Sequence, residues 1–408
     1  MANTDTIPTT NLHCCPDADY PNNMSELAGI YIHIPFCLKK CLYCNFYSTT
    51  DLLLKDKFLE SLLKEIEYYR GSHLTFDTIY FGGGTPSLLS ATEIFSILNK
   101  TYKLFSIHHD AEITLEVNPG TVGEKNFRQY ADAGINRLNI GVQSFNDKNL
   151  QFLGRIHSSQ EASSAINSAR DADFCNIGID LIYGMVGQSL NNWEKDLETA
   201  LSFFPEHLSC YMLSYEKNTP LYEAKESGNV LPLDETSVGD LFSFTWRFLP
   251  ANGYTAYEIS NFCKNNPVIP GKFRSRHNQK YWHLAPYIGL GPSAHSYLES
   301  MRFWNHSSVQ DYIRLIESGQ SSVRGRENLS REQQMIESIF LGLRTKEGIE
   351  LENFEKKFST VFSDMFSTPL KNLEKKGYMV ISDTRCALTA KGMRFHDSIC
   401  DLIVGAIG

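Results

Sequence analysis

Between Gly29 and Tyr215 the apolar positions switch repeatedly between two rhythms. Short apolar runs alternate with stretches whose apolar side chains recur every three or four residues. "GIYIHIPF" reads as a first strand. "KDKFLESLLKEIEYYR" follows, with Phe58, Leu59, Leu62, Leu63 and Ile66 on one helical face. "FDTIYFGGG" and "ATEIFSILNKTYKLF" give a second strand and helix. "EITLEVNPG" and "EKNFRQYADAG" give a third pair, its helix closed by Gly134. "RLNIGVQSF" is a fourth strand, before helices around 146–153 and 160–171. "NIGIDLIYG" is a fifth, before "LNNWEKDLETALSFF", and "HLSCYMLSYE" a sixth.

Six such units in a row imply an α/β chain with a parallel sheet and right-handed crossovers. The sheet is either open and doubly wound or a closed or partial β/α barrel of the TIM type. Unusual residues cluster just past the strands: Cys37, Gly82–Thr85, Glu116 with Asn118, Gln143 and Asp180. One residue from each of several strand ends favours the barrel, whose sites gather at that rim. A doubly wound sheet would concentrate them at one switch point. The expected organisation is a flexible leader at 1–27, the barrel at 28–215 and an irregular α+β extension at 216–330. The extension contains the helix "VGDLFSFTWRFLPANG". A small module follows at 331–408, where two helices precede the hairpin "GYMVIS"/"RCALTA". That order resembles a winged helix. Its basic residues are balanced by acids, which favours packing over DNA binding.

Composition adds limits. At about 100–200 residues per domain, 408 residues make two or three domains. A net charge of -9 argues against nucleic acid or anionic membrane as the main partner. No apolar run reaches the ~18 residues of a membrane span. Ten cysteines are too sparse for a disulfide scaffold and fit a reducing cytoplasm.

Three of them stand apart. "IPFCLKKCLYCNFYS" carries Cys37, Cys41 and Cys44. Structural zinc usually takes four ligands, and a [4Fe–4S] cluster normally takes four thiolates. His33 precedes the run but falls in a strand. Three thiolates leave one iron open to a small molecule. "FGGGTPS" lets backbone approach a ligand closely. Glu116 and Asp180 offer acceptors for an ammonium group or ribose hydroxyls; Gln143 and Arg155 offer donors, and Arg155 can clamp a carboxylate. The set suits S-adenosylmethionine (SAM).

With "YIHIPFCLKKCLYCNF", "FGGGTPS", "EVNPGT", "RLNIGVQSFNDKNLQFLGR", "GIDLIYGM" and "SRHNQKYW", the chain resembles the radical SAM superfamily. Within it, the chain resembles the oxygen-independent coproporphyrinogen III oxidase-like group, over about residues 28–400. The resemblance implies a partial six-unit barrel and a [4Fe–4S] cluster on Cys37, Cys41 and Cys44. It implies that Tyr31, Tyr43, Gly83 and Glu116 contact SAM. It implies that Gly84, Thr85, Gln143, Arg155 and Asp180 line the place of a second SAM. Phe46 stands where the oxidase usually has a further cysteine, and only about 27 residues precede the first strand. Both features point to the haem-chaperone branch of the group. That branch carries His-Asn-x-x-Tyr-Trp, here His277, Asn278, Tyr281 and Trp282, so the resemblance makes His277 a haem ligand. His295 in "GLGPSAHSYL" is a second candidate. Val186 replaces a proline common in the group, and the stretch from Phe262 to His277 is longer than expected.

The expectation is therefore a cytoplasmic, oxygen-sensitive protein that binds a [4Fe–4S] cluster, SAM and haem. It would pass haem to acceptor haem proteins such as respiratory enzymes. A flavodoxin or ferredoxin would donate electrons, nucleic acid would not bind, and a homodimer is allowed. The alternatives are oxidative decarboxylation of coproporphyrinogen III, another radical SAM reaction, or a zinc-binding scaffold.

Overall fold

The structure, a computed structural model, describes residues 27–405 and 407. The expected leader, Leu27 apart, lies outside the described residues, as do Cys14 and Cys15. The six strands appear as read: β1 (Ala28–Ile34), β2 (Thr75–Gly83), β3 (Ser106–Val117), β4 (Arg137–Gln143), β5 (Ile177–Tyr183) and β6 (His207–Met212). Between them run α1 (Lys55–Tyr68), α2 (Ala91–Leu104), α3 (Glu124–Asp132), α4 (Asp147–Leu153), α5 (Ser159–Asp171) and α6 (Leu190–Ser202). Each strand pairs in parallel with the next.

Alternation assigns the two faces of this sheet different work. Ile30, Ile32, Ile113, Leu115, Leu138, Ile140, Ile177 and Ile179 are buried in one cluster with helix residues such as Phe58, Leu62, Ile94 and Ile166. Each such side chain contributes about 1.5–3 kcal/mol by burial. The intervening positions, Tyr80, Glu116, Asn139, Asp180 and Ser209, face a common cavity. Capping boxes at Ser90/Glu93 and Ser158/Glu161 start α2 and α5 by satisfying their first backbone N–H groups.

The stretch 216–330 is more regular than expected. After α7 (Pro220–Glu226) and α8 (Glu235–Ala251) come β7 (Tyr254–Ala256) and β8 (Asn261–Lys264), and β8 pairs with β6. Next come α9 (Arg276–Trp282), β9 (Tyr287–Leu290), β10 (His295–Leu298), β11 (Met301–Asn305), α10 (Val309–Glu317) and β12 (Val323–Asn328). β9 lies parallel to β1, and β10, β11 and β12 follow antiparallel. The result is a twelve-stranded sheet with β12 and β7 as its ends. Strands of three to six residues leave too few positions for alternation to register in the sequence.

α9 lies under the amino-terminal ends of β2 and β3. Lys280 Nζ is 2.7 Å from Asp77 Oδ1, and Glu112 accepts the backbone N–H groups of Arg276 and His277. The last segment contains α11 (Arg331–Arg344), β13 (Ile349–Glu350), α12 (Leu351–Phe358), α13 (Phe362–Met365), α14 (Ser367–Lys375), β14 (Met379–Ile381), β15 (Arg385–Leu388), α15 (Ala390–Met393) and α16 (His396–Val404). Its three-stranded sheet has the order β13-β15-β14. Met335, Ile339 and Phe354 join the main apolar cluster. No helix among the described residues is long and apolar enough to cross a membrane.

Candidate functional site

The cysteine loop leaves the carboxyl end of β1 and is pinned by backbone. Cys37 N–H donates to Thr49 O (3.0 Å), and Thr49 N–H donates to Pro35 O (2.7 Å). Leu42 N–H donates to Leu153 O, and Leu42 O accepts from Leu221 N–H, tying the loop to α4 and α7. The Leu42 side chain packs on a small apolar cluster of Leu153, Ile182, Met185, Leu213 and Leu221. Gly154, at φ +74° after α4, lets that happen: a Cβ there would stand 2.8 Å from the Leu42 side chain.

All three thiols line one cavity of about 470 Å³ that descends into the barrel, within the roughly 300–1,000 Å³ usual for small-molecule sites. Thr85 Oγ1 donates to Cys37 Sγ (3.4 Å), and an Arg155 N–H donates to Cys41 Sγ (3.4 Å). Both contacts aim a donor at sulfur, as outer partners of metal ligands do. Burial raises the Cys44 thiol, so ligation there would release a proton. A side chain at Gly84 would collide with Phe36 O at 2.7 Å and approach Cys37 Sγ to 3.1 Å.

Two observations bear on the metal. Four thiolates around one zinc ion stand about 3.8 Å apart, from Zn–S bonds near 2.3 Å. The three sulfurs here do not all lie within 4.8 Å of one another; among the described residues only His108, His109 and Asp110 form such a group. His33 is not a spare ligand. Its Nδ1 pairs with Tyr31 OH (3.1 Å) and its Nε2 with Tyr47 O (3.0 Å), and burial lowers its pKa to about 4.

Below the loop the walls are polar. Tyr80 OH donates to Glu116 Oε1 (2.8 Å), and burial pushes Glu116 up to about 7 despite that bond. Asp180 accepts from Asn139 Nδ2 (2.6 Å) and is raised to about 6, again chiefly by burial. Asp180 Oδ1 and Arg155 Nε are buried without hydrogen-bond partners, an acceptor and a donor left for a ligand. Gln143 has φ +69° where the β4–β5 register shifts, a bulge that re-aims its side chain.

Every residue expected at the site lines this cavity except Tyr31 and His277. Tyr31 lies beside it, its ring 6.2 Å from Tyr80 and 6.3 Å from His277. His277, the expected haem ligand, lies away from the cavity. It is 1% exposed within α9. Its Nδ1 pairs with Thr78 Oγ1 (2.8 Å) and its Nε2 with Tyr281 OH (2.9 Å), so both ring nitrogens are engaged. Its neighbours Ser275 and Asn278 do reach the cavity floor. Sequence reasoning missed the inward-facing Asn139, Arg137, His207, Ser209 and Tyr211. Their place between apolar residues in "RLNIG" and "HLSCYM" was the available signal.

A three-thiol loop over a polar cavity at the carboxyl rim of six parallel βα units defines the radical SAM class, and residues 31–200 match the radical SAM superfamily. Residues 329–395 match the HemN C-terminal domain. The chain is 32% identical to heme chaperone HemW of Lactococcus lactis, over 90% of this chain and 95% of that protein. It is 33% identical to the mitochondrial radical S-adenosyl methionine domain-containing protein 1 of Danio rerio, over 98% and 91%. Coproporphyrinogen III oxidase (HemN) of Escherichia coli shares the fold, with TM-score 0.79 and 22% identity over 93% of this chain and 90% of that one. The chain belongs to the HemW family.

Membership of the radical SAM superfamily implies a [4Fe–4S] cluster and SAM, and the cavity suits both. It offers three convergent thiols, close backbone at Gly84 and unpaired polar atoms deeper in.

Proposed function

We propose that the chain is a haem chaperone that holds a [4Fe–4S] cluster and SAM at the rim cavity, binds haem and delivers it to acceptor haem proteins. The observation that carries this reading is the cysteine loop, which ends in Phe46 rather than a fourth cysteine. Phe46 is 64% exposed at the cavity mouth. Curated relatives named heme chaperone support the haem role. Cys37, Cys41 and Cys44 would hold the cluster, and Tyr43, Gly83 and Glu116 the methionine end of SAM. Gly84, Thr85, Gln143, Arg155 and Asp180 would line the adjoining space. When bound, the cluster would supply an electron to the sulfonium. The exposed Lys39 and Lys40 beside it suit an acidic donor such as a flavodoxin or ferredoxin. Eight free cysteines among the described residues accord with a reducing compartment such as the cytoplasm.

The test is anaerobic purification with iron, sulfide and haem measured together, followed by transfer of bound haem to an apo-haem protein. Retained haem that never reaches an acceptor counts against a chaperone. Robust conversion of coproporphyrinogen III to protoporphyrinogen with SAM and reductant would establish the oxidase reading instead.

Glu116 supplies a pH signature. Its carboxyl is neutral until the pH approaches 7, and it attracts the SAM ammonium only once ionised. SAM affinity is expected to fall about fivefold from pH 7 to pH 6 and to level off above pH 8. Glu116→Gln should bind weakly and without that slope. A wild-type dissociation constant that stays flat from pH 6 to 8, measured by calorimetry, removes Glu116 from the amine site.

A further inference from the structure

We propose that haem iron is ligated by His295 at the start of β10 in the sheet extension, with Trp304 orienting the imidazole and Arg302 receiving a propionate. This deepens the haem-chaperone reading and rests on it.

Four buried histidines are committed elsewhere. His33 and His277 use both ring nitrogens, as do His157, with Asn118 and Val142 O, and His396, with Asp397 and Phe340 O. His207 Nε2 pairs with Tyr257 OH, and its unpaired Nδ1 is shut inside the barrel with the ring 1% exposed. His295 differs. It is exposed while Ser296 and Tyr297 beside it are buried, and among the described residues neither of its ring nitrogens has a hydrogen-bond partner.

The strands build a platform around it. His295 pairs across β10–β11 with Trp304, which pairs across β11–β12 with Gly325. The imidazole stacks on the indole, centroids 5.8 Å apart and planes at 24°. Gly325 permits this, because a Cβ there would stand 2.5 Å from the indole ring. Tyr297 and Arg302 form the next pair on the same face, and Tyr287 continues it, 6.4 Å from Tyr297. A neutral imidazole held by stacking, the partly exposed Trp304 indole and a guanidinium match the iron, the apolar ring and the carboxylates of haem. Partial desolvation of the ring, then Arg302, lowers the His295 pKa, which keeps a lone pair free at neutral pH. Arg302 now pairs with Glu337 of α11 (2.7 Å), an exchangeable partner because both side chains are partly exposed.

Location agrees with handover. β9 runs parallel to β1 and β10 runs back, so His295 begins at the rim that carries the cysteine loop. His306, just past β11, also has an unpaired ring but no stacking partner, and serves as the control.

The test titrates the full-length protein with ferric haem under argon and follows the Soret band. Wild type should give an imidazole-ligated spectrum. His295→Ala should lose it and bind about tenfold more weakly, and added imidazole should restore the band. His306→Ala should match wild type. Arg302→Gln should weaken haem but not haem dimethyl ester. His295→Gln, with circular dichroism on both variants, separates ligand loss from misfolding. Wild-type spectrum and affinity in both His295 variants, or loss of the band in His306→Ala instead, overturns the assignment and leaves the chaperone reading standing. A wild-type protein that takes up no haem overturns the reading and the assignment together.

Discussion

Cys41→Ala is expected to reduce bound iron from about four atoms per chain to below one in anaerobically reconstituted protein and to abolish SAM cleavage. The fold should survive. Cys41 is partly exposed, and the only hydrogen bond its sulfur makes among the described residues is the 3.4 Å contact from Arg155. The loop keeps its shape through Cys37 N–H to Thr49 O and Leu42 N–H to Leu153 O, neither of which needs the thiol. Two thiolates cannot replace three, because no other described cysteine lines the cavity, and its one described histidine, His207, is 1% exposed with Nε2 engaged by Tyr257. Cys210→Ala is the matched control. That residue is 2% exposed in the apolar cluster behind the sheet, so its loss should leave iron unchanged. Elemental analysis and the visible spectrum decide. Full iron with an unaltered spectrum in Cys41→Ala removes the three-thiolate site. One zinc per chain and no iron in the parent protein replaces it with the scaffold reading.

How far the sequence revealed this site depended on local signals. Long βα units announce themselves, since each helix carries its own apolar stripe and each strand its own run; all six emerged where the pattern put them. The cluster loop was equally legible, because three cysteines within eight residues have few structural uses. Glu116 and Asp180 could be found because a carboxylate inside an apolar strand demands a reason. The missed features are those that only long-range pairing creates. β9 joins β1 across more than 250 residues of chain, and nothing near Tyr287 predicts that neighbour. The same gap hid the surroundings of His277. Its aromatic surroundings resemble a haem pocket in sequence, but the fold turns them into the barrel floor, with the ring 5.0 Å from Tyr80. The platform at His295 stayed hidden because Trp304 and Gly325 reach it from two other strands.

The floor leads to the second large effect. Lys280→Met is expected to destabilise the protein by about 3–5 kcal/mol, the usual cost of removing one member of a buried ion pair. Lys280 is 1% exposed and Asp77 2%, with Nζ and Oδ1 2.7 Å apart. Lys280 also donates to Leu27 O (2.7 Å), tethering the chain just before β1. Methionine fills the space of the stem but leaves the Asp77 charge facing Arg276 at 3.8 Å, in a group that also includes Asp110, 3.5 Å from Arg276. Asp77→Leu in the same chain removes that orphan charge, and the double variant should recover much of the loss, since two apolar residues need no partner. The midpoint of urea unfolding provides the comparison. Ser275 and Asn278 border the cavity from this same helix, so SAM affinity should fall in Lys280→Met and return in the double variant. A loss below about 1 kcal/mol in the single variant, or a double variant no better than the single, means that apolar packing rather than this ionic plug holds α9 beneath the barrel.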